Sequence, residues 1–321
     1  MKQMLIYYMN SLIMLFMVIL ISMISVAFLT LFERKIMALF HYRKGPNKNA
    51  FIGIFQPFND ALKLLFKEYF FPKKSNFYIY ILSPSIMFIL ISMNWLIYPF
   101  FMNLLNFNNN LLFFLSMMSM GVYGLILAGW SSNSMFSMIG SIRSIAQSIS
   151  YEVIFSLSIM LMLMILNFFN LNNIMKFNKY INFMIIFLPI SMIMLISMLA
   201  EINRTPFDLS EGESELVSGF NIEYSSSKFI LIFLAEYSSL MFMMFLFSFF
   251  FLYNNLNFMF YFKTILMIFF ITWIRMTFPR IRYDKLMKFC WIFLLPTILI
   301  LFMIYFINLK LNFDFNLNFN F

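Results

Sequence analysis

Charge, cysteine, histidine and glycine are all in short supply in this sequence. Only 11% of the 321 residues are charged, whereas an ordinary soluble domain carries about 25%. With 63% of the chain hydrophobic, nearly every long segment reads as core, and little polar surface is left to cover it. One cysteine, Cys290, and one histidine, His41, exclude an internal disulfide, a structural zinc site, an iron–sulfur cluster and a bis-histidine haem built from this chain alone. Any metal redox centre that the protein serves must therefore belong to a partner. Nothing in the charge pattern points to a nucleic acid.

Long apolar runs are what the chain has instead. Stretches of about 20 residues recur with few charges inside them, which is the signature of membrane-crossing helices and too long for the strands of a β-barrel. The expected fold is all-α, a single polytopic membrane domain over 1–321. Its spans are placed at about 3–32, 79–102, 111–129, 137–166, 181–200, 226–252, 259–275 and 286–307. The first apolar run follows Lys2, outlasts a signal-peptide core and ends in ERK with no small-residue cleavage site, so it reads as a retained span. Phe (48) and Met (31) are overused while Gly (8) and Pro (9) are rare. Exchanges of Leu for Met or Phe change little on a lipid-facing helix, and the bias reads as that of an AT-rich, organelle-like genome. The Asn-rich pieces, 103–110, 167–178 and 308–320, read as loops or a tail.

Eight spans put alternate connections on opposite sides. Residues 33–78, 130–143, 201–228 and 275–288 hold 17 of the 22 Lys and Arg, leaving Lys2, Lys176, Lys179, Lys263 and Lys310 for the other side. The positive-inside rule assigns the first set to the cytoplasm or matrix, with both termini opposite. The first of these connections contains a Gly-Pro-Asn turn at 45–47 and a helix start at Gln56-Pro57. From Asn59 to Phe70 the pattern is amphipathic, with Asp60, Lys63 and Lys67 on one face. That suits a short helix lying in the interface, bounding an opening from the lipid or docking a partner. Arg34, Lys35, Arg43 and Lys44 add a basic strip on a fixed turn.

Ionisable groups inside the spans require partners or a water-filled cavity. Arg143 and Glu152 share one helical run nine residues apart, on opposite faces, so neither is the other's ion-pair partner. Glu201 closes an apolar span and Arg204, three residues on, is placed to pair with it locally. The connection that follows is acidic: residues 200–224 carry six of the thirteen Asp and Glu. Ser210 and Glu213 fit a capping box, but Glu201, Asp208, Glu215 and Glu223 are not explained that way. Glu236 lies within the next span. If the fourth, fifth and sixth spans pack together, Glu152, Glu201 and Glu236 converge below the acidic loop, an arrangement suited to moving protons. Arg275, Arg280 and Arg282 flank Pro279 beside Asp284 and suit a clamp on that loop, a cavity rim or a topology determinant.

The motifs ERK at 33–35, RKGPN at 43–47, QPFNDALKLLFKE at 56–68, SYE at 150–152, AEINRTPFDL at 200–209, EGESELVSGFN at 211–221, AEY at 235–237 and TFPRIRYDKLM at 277–287 occur in the order seen in one known family. In this respect the chain resembles the subunit 1 family of respiratory NADH:ubiquinone oxidoreductase, complex I, in its mitochondrial form. The resemblance implies a membrane-arm core subunit lying against the hydrophilic arm, an enzyme only within the assembly. It implies a ubiquinone chamber and mouth involving Arg34, Arg43, Asp60, Lys63, Arg204, Phe207, Asp208, Glu211, Glu213 and Glu215. It implies a proton-coupling route through Arg143, Glu152, Glu201 and Glu236. Ubiquinone would be the substrate, with FMN and iron–sulfur clusters in partner subunits and none bound here. The implied partners are other membrane-arm subunits, the quinone-proximal subunits of the hydrophilic arm and membrane lipids, in the mitochondrial inner membrane. Two positions depart from the family pattern: His41 stands where Gln is usual, and Met135-Phe136 where Lys-Tyr is usual. A proton-coupled secondary transporter, or a structural anchor of a related quinone- or hydrogenase-type complex, also fits parts of the pattern. Solute uptake by the isolated chain would favour the first, and co-purification with iron–sulfur subunits either complex-bound reading.

Overall fold

The computed structural model describes residues 2–99, 108–166, 168–179, 183–210, 212, 219–253 and 256–318, with side chains described within 6–310. Glu211, Glu213 and Glu215 lie outside the described residues. The elements are helical: α1 (Lys2–Phe40), α2 (Gln56–Leu65), α3 (Phe77–Asn94), α4 (Asn110–Ser131), α5 (Met135–Leu166), α6 (Leu171–Asn178), α7 (Phe183–Ile186), α8 (Leu188–Glu201), α9 (Ser226–Phe251), α10 (Phe258–Thr277), α11 (Tyr283–Lys288) and α12 (Leu295–Asn318). A π-helical stretch, Phe289–Leu294, makes α11 and α12 one continuous span. Among the described residues, seven helices are long and apolar enough to cross a membrane.

Two differences from the expected spans matter. The first helix does not stop at residue 32 but runs to Phe40, because no Gly or Pro interrupts it before Gly45. Glu33, Arg34 and Lys35 therefore point from a helix and not from a loop. The fifth expected span, 181–200, is broken: Pro189, which is disfavoured in a helix interior, stands in the first turn of a new helix, α8. At 1.5 Å per residue α8 rises about 21 Å, less than the roughly 30 Å of a hydrocarbon core. The amphipathic helix of the first connection forms with Pro57 in its first turn, as its sequence requires, and ends at Leu65.

Helices α5 and α9 form the centre of the bundle. Helix α9 packs on α1, α2, α3 and α10, and α5 packs on α4, α8 and α12. A helix apolar on all sides belongs in a core, and in α9 Phe242, Phe247, Phe249, Phe250 and Phe251 are all buried. Aromatic edges fill the gaps: the Trp95 and Phe242 rings meet at 5.3 Å, and Phe114 and Phe155 at 5.7 Å. Helices α1 and α12 lie at the periphery and expose large apolar side chains along their length.

The four basic connections come together at one end of this bundle, as hydrogen bonds between them show. Asn76 N donates to Ser131 O (2.9 Å) and Asn133 Nδ2 to Lys74 O (2.7 Å), joining the first of them to the second. Phe70 N donates to Ser225 Oγ (3.2 Å), and Ile281 N to Pro206 O (3.0 Å), bringing in the other two. The opposite end is more ordered than its Asn-rich sequence suggests. Asn170 caps α6, and Asn178, buried at its last turn, donates to Phe249 O (2.9 Å) and Phe250 O (2.8 Å) at the end of α9. Asparagine there is a tie between helices and not merely loop filler.

Glycine is scarce but decisive at one contact. A Cβ on Gly140 of α5 would stand 2.9 Å from Gly219 Cα, on a turn that itself has φ 55°. Two backbones meet, so neither can move a side chain aside. Gly140→Val is expected to destabilise the fold by about 1–3 kcal/mol, the usual range for overpacking. Thermal unfolding of the solubilised protein checks this: an unchanged melting temperature would mean that the contact is looser than drawn.

Candidate functional site

Helix α8 ends at Glu201, and Asn203 then adopts a left-handed conformation (φ 55°), one that asparagine tolerates. The reversal turns Arg204 away from Glu201. The expected local ion pair is replaced by a longer-range one: Arg204 Nη1 donates to Glu33 Oε1 of α1 at 3.1 Å. Arg275, from the end of α10, donates to the same oxygen. The hydroxyl of Tyr237, on α9, donates to Glu33 Oε2 at 2.8 Å. The Arg204 guanidinium lies over the Tyr237 ring, 4.2 Å from its centroid, a favourable placement for a cation on an aromatic face. Glu33 is 3% exposed, so this carboxylate survives burial only because both its oxygens are bonded. Burial opposes the charge on Arg204, but Glu33, Tyr237 and Glu236 together outweigh it and the pKa stands above the ordinary arginine value. This network joins α1, α9, α10 and the acidic connection.

Beside it lies a cavity of about 210 Å³. One wall is apolar, from Met87 and Ile91 on α3 and Met118 and Leu125 on α4. The ionic part of the lining comes from Glu201 at the end of α8, Arg204 and Asp208 of the connection, Glu236 of α9 and Arg275 of α10. Asp208 is held by Arg280 at 2.9 Å. Gln147, buried on α5, donates to Ala200 O and to Phe207 O, both at 2.7 Å, and so pins both sides of the turn. Farther along the connection Tyr224 stacks on Tyr80, 4.4 Å between centroids, and its hydroxyl meets Ser83 Oγ at 2.9 Å. The acidic segment is thus anchored at both ends.

The expected site residues divide between places. Arg204, Asp208, Glu201 and Glu236 share the cavity. Glu152 does not line it but lies within electrostatic reach of Glu201. Arg143 is half-buried on α5, about two and a half turns from Glu152. Phe207 is buried with its ring 6.1 Å from that of Tyr151, a packing contact. Arg34, Asp60, Arg43 and Lys63 sit on the outside of the basic end. Arg34 pairs with Asp60 at 2.5 Å, and Gln56 Nε2 donates to Asp60 Oδ1 at 2.9 Å, holding α2 to α1. Arg43 shares an open basic cleft with Arg34, His41 and Lys44, and Lys63 is exposed. Of the three arginines near Pro279, Arg280 clamps the acidic connection. Arg275 instead clamps α1, and Arg282 pairs with its neighbour Asp284 at the exposed surface (3.1 Å), where such a pair contributes little.

Glu33 and Tyr237 were not among the expected site residues. Glu33 reads in the sequence as the polar end of a span. The available signal was the absence of any helix breaker after it, which keeps a lone carboxylate on a helical face.

The fold and the site together define a multi-pass helical membrane protein with a charged cavity beneath one basic end. The chain belongs to the NADH dehydrogenase family, whose sequence profile matches residues 13–306. It is 46% identical over 305 residues to NADH-ubiquinone oxidoreductase chain 1 of Aedes aegypti, covering 95% of this chain and 97% of that one. With the same-named chain of Locusta migratoria it shares 48% over 292 residues (91% and 93%), and with that of Mytilus edulis 41% over 280 (86% and 91%).

Glu33→Ala leaves two guanidiniums without their shared carboxylate. Breaking a buried ion pair of this kind costs about 3–5 kcal/mol. A double-mutant cycle on thermal stability is expected to show Glu33→Ala and Arg204→Met together costing less than the sum of the two. Strict additivity would deny the coupling.

Proposed function

We propose that this chain is the core membrane subunit of a proton-translocating NADH:ubiquinone oxidoreductase in the mitochondrial inner membrane, and that its charged cavity begins the path coupling quinone reduction to proton movement. The names of its relatives and their coverage support the first half. The observation that carries the second is the single cavity shared by Glu201, Glu236, Asp208 and Arg204.

The chain contains one cysteine and one histidine, too few ligands for an iron–sulfur cluster of its own; the family resemblance implies that electrons reach the quinone from FMN and iron–sulfur centres in partner subunits. Its own contribution is position and electrostatics. Two-electron reduction turns a quinone into a dianion that collects two protons, and negative charge formed near these carboxylates changes their protonation. Carboxylates at close range titrate as a group, so a proton taken at one edge is felt across the cluster. In this reading Arg204, Phe207, Asp208, Glu211, Glu213 and Glu215 border the chamber, and Arg34, Arg43, Asp60 and Lys63 shape its mouth. Glu201, Glu236 and Glu152, with Arg143, carry the change inward. Arg280 and Gln147 keep the connection folded while its charge varies. The basic end docks the quinone-proximal subunits of the hydrophilic arm and faces the matrix, placing both termini in the intermembrane space.

Glu201→Gln and Glu236→Gln keep size and hydrogen bonding and remove the titrating charge. The assembly is expected to form in both, with quinone-linked proton transfer reduced on the order of 10²-fold, the low end for a positioned proton-transferring group. Full turnover with an unchanged proton-to-electron ratio in both variants leaves the connection a docking role only. The orientation is tested separately by side-specific labelling of cysteines placed at Lys44, Arg282 and Lys176. The first two are expected to react from the matrix side and the third from the other, and any swap among them overturns the topology.

A further inference from the structure

The cavity beneath the basic end reaches farther than its carboxylates. Glu236 stands ten residues into α9, a rise of about 15 Å from that end. Asn94, which lines the same cavity, stands seventeen residues into α3, a rise of about 26 Å. Both helices start at the basic end, so Asn94 marks the foot of the cavity, well below Glu236. Ser239, one turn beyond Glu236, lines the interval.

Asn94 is 3% exposed, and protein serves its amide poorly. Nδ2 reaches only the sulfur of Met118, at 3.5 Å, and no described residue bonds Oδ1. Whichever way the amide is turned, one end faces a thioether and the other no polar protein group. Buried polar atoms that protein leaves unbonded are the ones that water bonds. A cavity stays dry when its lining is apolar throughout. This one is polar at its top, at Ser239 and at its foot, and its volume of about 210 Å³ takes several water molecules.

Below Asn94 the polar track is interrupted. The Trp95 ring meets Phe242 at 5.3 Å and Phe242 meets Phe114 at 5.6 Å, with all three side chains buried. Asn110, one turn beyond Phe114 toward the far end, again carries a buried oxygen that no described residue bonds. An aromatic layer thus separates two polar places.

We propose that water fills the cavity down to Asn94, bonded to its amide and running back past Ser239 to Glu236, and that the layer of Trp95, Phe242 and Phe114 closes this branch from the far side. Glu236 then exchanges protons with a blind column of water, and the aromatic layer keeps that exchange from becoming a leak across the membrane. The proton exchange rests on the proposed function of the cavity; the water column and its closure do not.

Brief X-ray irradiation of the intact purified assembly makes hydroxyl radicals from water where it sits, bound water included, and methionine sulfur records them as sulfoxide. Met118 is expected to oxidise many times faster than Met194 and Met244, which are fully buried and do not line this cavity. In Asn94→Leu the Met118 rate is expected to fall several-fold, while Met87, about two turns nearer the basic end than Asn94, keeps its own. An unchanged Met118 rate in that variant, or a rate in the unaltered protein no higher than that of Met244, overturns the water column. Closure is read as passive proton leak in liposomes that hold the assembly. Phe242→Ala is expected to raise the leak several-fold, and the addition of Asn94→Leu to return it to the original level. Phe242→Leu, paired in the same way, serves if the alanine variant does not assemble. No added leak, or a leak that Asn94→Leu does not remove, overturns the closure. Normal coupling in Glu201→Gln and Glu236→Gln with a readily oxidised Met118 would reject the proposed function and keep the water column. Impaired coupling with a protected Met118 would keep the function and reject the column.

Discussion

One buried carboxylate organises the charged half of this protein. Glu33 accepts from Arg204, Arg275 and Tyr237, and those four residues come from α1, the acidic connection, α10 and α9. In a medium with little water a charge must be answered by protein groups or remain unformed. Removing any arm strands the others, so the network ties together elements that apolar contact alone would let slide. It also sets the course of the chain after α8, because Arg204 must reach across to α1. That course leaves Glu201 and Asp208 lining the same cavity as Met87 and Met118.

Rigidity around the cavity comes from polar side chains spent on backbone. Gln147 holds both Ala200 O and Phe207 O, and Asn178 holds two carbonyls of α9 at the far end. These bonds satisfy carbonyls where helices stop, the positions that a bilayer leaves most expensive to expose. The apolar remainder tolerates exchange among Leu, Met and Phe, since dispersion and volume matter there more than shape identity. A strongly biased composition is therefore compatible with a well-defined site, provided that a few polar residues and the Gly140–Gly219 contact are kept.

Much of the architecture is legible in the chain itself. Apolar run length gives the helices, charge distribution predicts which connections share an end, and Pro57 marks the start of α2. Glu201 and Glu236 stand out because each is a lone carboxylate in apolar surroundings, and both line the cavity. The ordered far end was not legible, because an Asn-rich stretch looks like loop until a cap and a pair of backbone acceptors are found for it.

The sequence by itself determined the class of protein, most of the long apolar segments, the basic end and the presence of intramembrane carboxylates, since these follow from local composition and period. Tertiary structure alone decided pairing. Arg204 had Glu201 three residues away, yet it bonds Glu33, 171 positions distant, because a left-handed turn at Asn203 and the packing of α1 on α9 bring that oxygen closer. Phe207 became packing and Asp208 cavity wall, although they are neighbours in sequence. The physical reason is that electrostatic and hydrogen-bond energies depend on distance and burial in three dimensions, whereas sequence records only separation along the chain.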